Sequence, residues 1–411
     1  MPHPEAFAGP IPTFFTRFNL FLALAGLFWL VGFPLAIDVV AFALFALLAA
    51  RAATPRLRLL LGAIVLSLAL CEVATRFLLR GAGSAAYYRP HEKHERVRGY
   101  ERDVDETFSM PHGDLAAIDP LVSHTIRQPR VVHFETDNRG YRNDSDYAGA
   151  PLALAGDSFL VGTGNDQKDI LVNVLRREHG VDAYSIASAT GPRDYLNAIK
   201  MFEANAAPSI HAMVFVFEGN DFRGPGRGLT RPSTYDQLKV RSWNAVGAVF
   251  GLGRLVFNGT RLLGRILFPP VNAAVEIYRV GRHDMGFYGS YIDKATANSL
   301  EIELGSALPG AVDHVEAVFF VPTKYRVYHS LLDAPGRRLR VPSPGHATLE
   351  QVFLPYGIPV IDLTPALIEG AHSLLEREEY VFWRDDTHWN AHGIRIAARE
   401  VAAFVHASTS R

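Results

Sequence analysis

The sequence contains a single cysteine, Cys71, so no disulfide can form within the chain. It also lacks an excess of either charge, because 41 basic and 42 acidic residues leave a formal net charge of −1. Domains that bind nucleic acids usually carry a clear basic excess, so we expect no nucleic-acid partner. With 411 residues, the chain is long enough for one large domain or two smaller ones.

Apolar residues are concentrated near the N-terminus, in three runs that are almost free of charge. Spanning a bilayer takes about 20 apolar residues, and the repeated runs are too long for a cleaved signal peptide. We expect a membrane anchor over residues 1–80 with three transmembrane helices, at about 18–33, 35–50 and 57–79. Two helices instead of three remain an alternative.

Basic residues indicate how this anchor is oriented. Arg17 precedes the first predicted helix, and Arg51, Arg56 and Arg58 lie between the second and the third. Because basic residues favour the cytoplasmic side, the N-terminus is expected inside and everything after about residue 80 outside. We therefore expect a protein of the bacterial inner membrane, with the lipid bilayer as a partner and its large C-terminal domain in the periplasm. Two helices would instead leave that domain in the cytoplasm.

The rest of the chain divides at about residue 150. Residues 81–150 are polar and indicate a connector with a few irregular strands. From 151 to 411, apolar strand-like runs alternate with amphipathic helical patterns, interrupted by a helical insertion at about 222–313.

The alternation predicts an α/β fold, because parallel sheets are covered by helices on both faces. We expect a flavodoxin-like three-layer sandwich with a parallel five-stranded sheet. The five predicted strands are 151–155, 183–187, 212–218, 315–321 and 358–363. Ligands of such sheets bind outside the carboxyl ends of the strands.

Polar segments follow several of the predicted strands, at the carboxyl ends where a ligand is expected to bind. Ser158 follows the first strand within Gly-Asp-Ser, and Asn220 follows the third within Gly-Asn-Asp. Ala189 and Gly191 follow the second strand, and His388 lies in a segment just before the last helix.

These residue types suit acyl transfer. A serine hydroxyl such as that of Ser158 becomes a nucleophile when a base takes its proton, and His388 can be that base and later the acid. An adjacent carboxylate would orient the imidazole. The N–H of Ser158, a backbone N–H near Ala189 or Gly191, and the amide of Asn220 could stabilise the oxyanion. Residue 160 is leucine, so the G-x-S-x-G signature of α/β-hydrolases is missing.

Together, the segments GDSFLVGTG, FEGND and DDTHWNAHG resemble the SGNH (GDSL-like) hydrolase and acyltransferase superfamily. The segments VPTKYRVY and DTHW are similar to the branch that contains the alginate and cellulose O-acetyltransferases. The resemblance implies a flavodoxin-like fold, a Ser-His-Asp triad and an acyl-serine intermediate. It also implies a polytopic membrane acyltransferase as a partner that brings the acyl donor across the bilayer.

The resemblance leaves two choices for the acid of the triad. The spacing D-x-x-H of the superfamily selects Asp385, whereas D-x-H of the acetyltransferase branch selects Asp386, which we favour because DTHW matches as a whole. The histidine segment follows the serine segment, as in ordinary SGNH esterases, whereas it precedes the serine in the alginate enzymes.

Lys324, Tyr328 and Trp389 are weaker candidates for substrate contacts, and a structural role fits them as well. No group of Cys and His ligands supports a metal site, and we expect neither metal nor cofactor.

The sequence thus predicts a membrane-anchored serine enzyme that transfers an acyl group, as an O-acetyltransferase, to an extracytoplasmic polysaccharide or envelope glycan. A carbohydrate or lipid esterase that takes an acyl-ester substrate is the close alternative. A non-catalytic glycan-binding scaffold is the hypothesis from another class.

Overall fold

The structure is a computed structural model of the full chain. It describes residues 100–119, 122–188, 190–206, 210–224 and 275–409, together with the isolated positions 54, 55 and 63. The predicted transmembrane helices at 18–33, 35–50 and 57–79 lie outside these residues, apart from position 63. Among the described helices, none combines the length and the apolar character that crossing a bilayer requires.

The central sheet has five strands, all parallel to their neighbours. Its strands are β3 (Leu152–Ala155), β4 (Ala183–Ser185), β5 (His211–Phe217), β10 (Val315–Val321) and β11 (Val360–Asp362). The order across the sheet is β11-β10-β5-β3-β4, which is the flavodoxin-like arrangement with a reversal of direction beside β3. The sheet and its helices confirm the predicted α/β class.

Strands β3, β4, β5 and β10 form because most of their residues are apolar and buried, whereas the three residues of the edge strand β11 are half-buried. Alternate side chains of β5 point to opposite faces: Met213, Phe215 and Phe217 to one, Val214 and Val216 to the other. Each set belongs to its own hydrophobic cluster, so the sheet separates two cores. This burial on both faces explains why the strands have continuous apolar runs rather than a polar alternation.

Helices cover both faces of the sheet. The helices are α1 (Leu115–Ile118), α2 (Val122–Thr125), α3 (Ser158–Val161), α4 (Leu171–His179), α5 (Pro192–Ala206), α6 (Gly289–Thr296), α7 (Lys324–Tyr328), α8 (Pro344–Phe353), α9 (Thr364–Leu375) and α10 (Ala391–Thr409). Residues of α4, α9 and α10 join the cluster on the Phe215 face, and residues of α5 and α8 join the cluster on the Val214 face.

Short strands outside the central sheet form three two-stranded pairs. They are β1 (Asp105–Met110), β2 (Arg130–Glu135), β6 (Phe222–Arg223), β7 (Val275–Val280), β8 (His283–Tyr288) and β9 (Glu301–Ile302). The pairs are β1 with β2, β6 with β9 and β7 with β8, each antiparallel. The first pair belongs to the segment predicted as a connector, and the other two fall within the predicted insertion.

A buried ion pair joins the carboxyl ends of β5 and β10. Glu218 follows β5 and is fully buried, and Nε and Nη2 of Arg326 on α7 donate to its carboxylate at 2.9 and 2.6 Å. Thr323 and Ser343 add hydroxyl donors at 3.0 and 2.8 Å. Because the carboxylate is this fully bonded, its burial is compensated, and the two strand ends are held at a fixed separation.

Candidate active site

The predicted nucleophile lies at the carboxyl end of β3, where the strand turns directly into α3. Ser158 is the first residue of this single helical turn, and the Asp157 side chain caps it by accepting from the N–H of Phe159 at 2.9 Å. Gly162 ends the turn with φ of +73°, and a Cβ there would lie 2.5 Å from Ile170. Both ends of the turn are therefore fixed, while Ser158 keeps 9% of its surface exposed.

The predicted base lies on the loop that precedes α10. An isolated antiparallel bridge joins Phe382 to Trp389, and the N–H of Trp383 donates to the carbonyl of His388 at 3.2 Å. The buried indole of Trp389 donates its N–H to the carbonyl of Phe159 at 3.1 Å. The histidine loop is thereby attached directly to the helical turn that carries the serine.

Lys324 on α7 supports the same loop from inside the protein. Its Nζ donates to the carbonyl oxygens of Trp383, Arg384 and Asp386 at 2.7, 3.1 and 2.9 Å. Burial lowers the pKa of Lys324 to about 7 against the opposing effect of nearby carboxylates. All three donor positions of the ammonium group point at one short stretch of backbone, so this side chain fixes the path of the loop.

The structure brings the predicted serine, histidine and aspartate together. Nε2 of His388 lies 2.7 Å from Oγ of Ser158, although 230 positions of sequence separate them. Nδ1 of His388 lies 2.7 Å from Oδ1 of Asp386. With the proton on Nδ1 donated to the carboxylate, Nε2 is left to accept the proton of the serine hydroxyl. This is the geometry that nucleophilic catalysis by serine requires.

Charge at the site favours a protonated imidazole. Burial alone would lower the pKa of His388, but the carboxylate of Asp386, followed by those of Asp114 and Asp157, raises it above the usual value. Burial opposes ionisation of Asp386 as well, yet His388 and the guanidinium of Arg130 hold its pKa well below the usual range. The aspartate therefore stays ionised and stabilises the imidazolium that forms when the serine loses its proton.

Asp385, the other candidate for the acid of the triad, has a different set of hydrogen-bond partners. Oδ2 of Asp385 accepts from the N–H groups of Gly113 and Gln128, both at 2.9 Å, and Oδ1 accepts from Nη1 of Arg130 at 3.1 Å. Asp385 thus fastens the segment between β1 and β2 to the histidine loop. Of the two candidate acids, Asp386 is the one in contact with the imidazole of His388.

Arg130, at the start of β2, was missed by the sequence analysis. It bridges the two acids, since Nη2 donates to Asp386 at 2.7 Å and Nη1 to Asp385 at 3.1 Å. Its guanidinium also lies 4.4 Å from the ring centroid of Trp383. No local pattern in the sequence could have revealed this role, because its partners lie more than 250 positions away.

Three of the predicted oxyanion donors, Ser158, Gly191 and Asn220, lie among the described residues. Asn220 is exposed at the carboxyl end of β5, and its Nδ2 donates to Oδ2 of Asp157 at 3.2 Å. That bond orients the amide, which carries a second hydrogen for a ligand. A Cβ built on Gly191 would meet nothing within 4 Å, so this backbone borders open space, whereas Ala189 lies outside the described residues.

A buried acid beneath Asn220 supports its turn. Oδ2 of Asp221 accepts from the N–H of Phe217 at 2.8 Å, and Oδ1 accepts from the hydroxyl of Tyr195 at 2.9 Å. Burial, and then the charge of Asp157, raises the pKa of Asp221 well above its usual value. The Gly-Asn-Asp segment is therefore tied to β5 and to α5 at once.

The three residues predicted as weak substrate contacts lie inside the protein instead. Lys324 is 4% exposed and is bonded to the histidine loop. Tyr328 is fully buried, and its hydroxyl accepts from the N–H of Val381 at 2.8 Å. Trp389 is fully buried against Phe159. Aromatic rings and a long aliphatic chain can pack in a core or against a sugar. The burial of these three side chains supports the structural role.

Among the residues that the structure describes, two groups each bring three possible ligand atoms within 4.8 Å of one another: Asp105 with His133 and Glu135, and Asp114 with Asp386 and His388. In both, the histidine nitrogen lies 2.7 to 2.8 Å from a carboxylate oxygen. Ligands arranged tetrahedrally around zinc would lie about 3.3 Å apart. These contacts are those of hydrogen-bonded pairs, and we assign no metal to either group.

The comparison with known families bears on the C-terminal part of the chain. Residues 315–411 match the family model described as the SGNH hydrolase-like domain of acetyltransferase AlgX. This match confirms the predicted resemblance to the SGNH superfamily and to its polysaccharide O-acetyltransferase branch. The matched segment contains Lys324, Asp386 and His388, whereas Ser158 precedes it. No curated protein matches the chain.

Replacing each of the two acids by asparagine should have unequal effects. Asp386→Asn removes the charge that orients His388 and should lower the rate of serine acylation by about 10⁴-fold. Asp385→Asn leaves the contact between Asp386 and His388 in place and should cost less than 100-fold, through a looser loop. Burst-phase acylation by an activated ester measures both. Equal losses, or a larger loss for Asp385→Asn, would contradict the assignment.

Lys324→Met tests whether this lysine binds substrate or supports the loop. Removing the ammonium leaves three carbonyl oxygens without their donor, so we expect a loss of stability of about 1–3 kcal/mol and a lower kcat with little change in KM. Thermal unfolding and steady-state kinetics provide the measurements. Lys168→Met, which removes a lysine that is 69% exposed, is the matched control. A raised KM at unchanged stability would restore the substrate-contact role.

Proposed function

We propose that this protein is a membrane-anchored serine O-acetyltransferase that acts on an extracytoplasmic polysaccharide or envelope glycan. The observation that carries the proposal is the pair of 2.7 Å contacts that join Ser158 to His388 and His388 to Asp386. The match to an SGNH-like acetyltransferase family supports the acyl chemistry. The apolar N-terminal runs and the basic residues around them support the anchor and the periplasmic location.

The reaction proceeds in two balanced halves. Oγ of Ser158 attacks the carbonyl carbon of an acyl ester while Nε2 of His388 takes the hydroxyl proton. The tetrahedral intermediate then expels the donor alcohol, which receives that proton, and an acyl-serine remains. In the second half, a glycan hydroxyl gives its proton to Nε2 and attacks the acyl carbon, and Ser158 leaves with the proton returned to it.

Electrostatics favour both transition states. Each half-reaction places a positive charge on the imidazole and a negative charge on the carbonyl oxygen. Asp386 stabilises the first charge, and donors such as the amide of Asn220 stabilise the second. Asn220 is exposed at the strand end and oriented by Asp157, which supports this assignment.

Water can replace the glycan hydroxyl in the second half, which would make the protein an esterase for carbohydrate or lipid esters. The chain order favours this alternative, because the serine segment precedes the histidine segment as it does in ordinary SGNH esterases. If transfer is the reaction, an acyl donor must reach the outer face of the membrane. A polytopic membrane acyltransferase is the partner that would supply it.

Ser158→Ala tests whether the protein is a serine enzyme. An added sugar acceptor tests whether the acyl group is transferred or hydrolysed. With 4-nitrophenyl acetate and neutral oligosaccharides, the purified full chain should release nitrophenol and yield acetylated oligosaccharide, and Ser158→Ala should lose both by at least about 10³-fold. Free acetate with no acetylated sugar would favour the esterase. Turnover that persists in Ser158→Ala would reject the serine mechanism, and a folded chain without turnover or acyl-serine would favour a scaffold.

The pH dependence of acylation should reflect the environment of His388. A protonated imidazole cannot accept the serine proton, so the rate falls as pH decreases through the pKa of His388. Because the surrounding carboxylates raise this pKa, the acid limb should have its midpoint above the usual value of about 6.5. Stopped-flow acylation from pH 4 to 9 measures the limb, with Ser158→Ala as the background. A midpoint below about 6.5 would contradict the charge arrangement.

A further inference from the structure

A second carboxylate approaches the imidazole from a segment far upstream. Asp114 directly precedes α1, and its side chain is 14% exposed. Its Oδ2 lies 3.7 Å from Nδ1 of His388, on the side of the ring where Asp386 is bound. The distance is too long for a hydrogen bond but short enough for a strong charge interaction at a largely buried site.

Asp114 is also hydrogen-bonded to two consecutive residues of the histidine loop, Asp386 and Thr387. Its Oδ1 accepts from the N–H of Thr387 at 2.7 Å, and its Oδ2 accepts from the Thr387 hydroxyl. Its own N–H donates to Oδ2 of Asp386 at 3.1 Å. A single residue thus holds the acid of the triad with its backbone and the neighbouring threonine with its side chain.

The placement of Asp114 is rigid. The N–H of Gly113 donates to Asp385, and a Cβ on Gly113 would lie 2.2 Å from the Asp385 carbonyl oxygen, so the two backbones are in direct contact. On the other side, Leu115 is fully buried in a small cluster with Val275. A carboxylate fixed from both sides acts on the imidazole without having to be ordered first.

Other charged groups surround the imidazole of His388, and they determine how much the charge of Asp114 can stabilise the imidazolium. Asp386 and Asp157 are negative neighbours of His388, while Arg130 and Lys324 are the cations that compensate the acids. Burial, and then the charge of Asp386, raises the pKa of Asp114 to about 7. Its charge is therefore present near and above neutral pH and is lost as the pH falls below 7.

We propose that Asp114 is a positioning residue of this site, a second carboxylate that aligns the histidine loop through Thr387 and stabilises the imidazolium of His388. The inference rests on the proposed function, because stabilising the imidazolium aids a reaction only if Ser158 gives its proton to His388. It adds a second contribution from the upstream segment, beside that of Arg130, to the site at the sheet edge. Asp114 acts through the histidine and the loop, and not by touching a substrate.

If Asp114 only supported the loop, removing its charge would leave the pKa of His388 unchanged. Two variants separate this structural role from the electrostatic one. Asp114→Asn keeps the shape and an acceptor for the Thr387 N–H but removes the charge. Thr387→Val keeps the carboxylate of Asp114 but removes the hydroxyl that donates to it, which is one of the bonds that favour its charged form. Asp105→Asn, which removes an exposed carboxylate from β1, is the matched control for a change in overall charge.

The test measures the pKa of His388 by carbon NMR of ¹³C-histidine-labelled full-length protein, with His388→Ala identifying the resonance. Removing a nearby negative charge makes the imidazolium less stable, so Asp114→Asn should lower this pKa by about 1 unit. Thr387→Val should lower it by less than Asp114→Asn does, because the carboxylate stays beside the ring while its charged form loses one donor. Asp105→Asn should leave it within about 0.3 units, because the Asp114 carboxylate and its donors are unchanged. An unchanged pKa in Asp114→Asn would overturn the proposal whether or not the protein is an enzyme.

Kinetics of acylation provide the second readout. In the wild type, the charges of Asp114 and His388 interact across 3.7 Å, so the acid limb should be broader than a one-proton curve. In Asp114→Asn the limb should become a one-proton curve at lower pH, and the plateau rate should fall about tenfold. A reduced rate with an unmoved limb would assign Asp114 to loop structure alone. Absence of Ser158-dependent acylation in the wild type would reject the proposed function, and the NMR measurement would still decide for Asp114.

Discussion

The described part of this protein depends on holding one imidazole in two hydrogen bonds at once. His388 meets Ser158 through Nε2 and Asp386 through Nδ1, each at 2.7 Å. The serine is fixed by the sheet, because it begins a helical turn at the end of a buried strand. The histidine is on a loop, and a loop by itself would leave its ring free to turn. Much of the surrounding polar structure therefore serves to restrain that loop.

Buried charges provide this restraint, and each is compensated by another. Lys324 bonds to the loop backbone from within the core, and Arg130 bonds to both acids from the edge. Breaking a buried pair leaves an unpaired charge, which is strongly destabilising. Such an arrangement has few alternative geometries. The cations thus fix the positions of the acids, and the acids fix the tautomer and the charge of the histidine.

The sheet was predictable from the sequence, and so was the meeting of Ser158 with His388. The strands and the two segments that carry these residues each have a local signature. Continuous apolar runs identify the buried strands, and polar residues directly after them identify the functional edge. The contributions of Arg130 and Asp114 were not predictable, since hydrogen bonds across more than 250 positions leave no periodic pattern. For Lys324 and Trp389 the sequence left a substrate contact and a structural role open, because their residue types suit a cleft and a core equally well. Whether a lysine bonds to backbone carbonyls or to a ligand is decided by packing alone.

The strand order has a consequence for how this molecule can be divided. The family match begins at residue 315, the first residue of β10, so it covers one side of the sheet and the loop with the histidine. Ser158 lies just after β3, on the far side of β5, and Asp114 and Arg130 come from still further upstream. A fragment limited to the matched segment would expose the side of β10 that normally pairs with β5, and an uncovered apolar strand edge invites self-association. The two strands of the matched segment are therefore expected to aggregate when they are separated from the other three strands of the sheet.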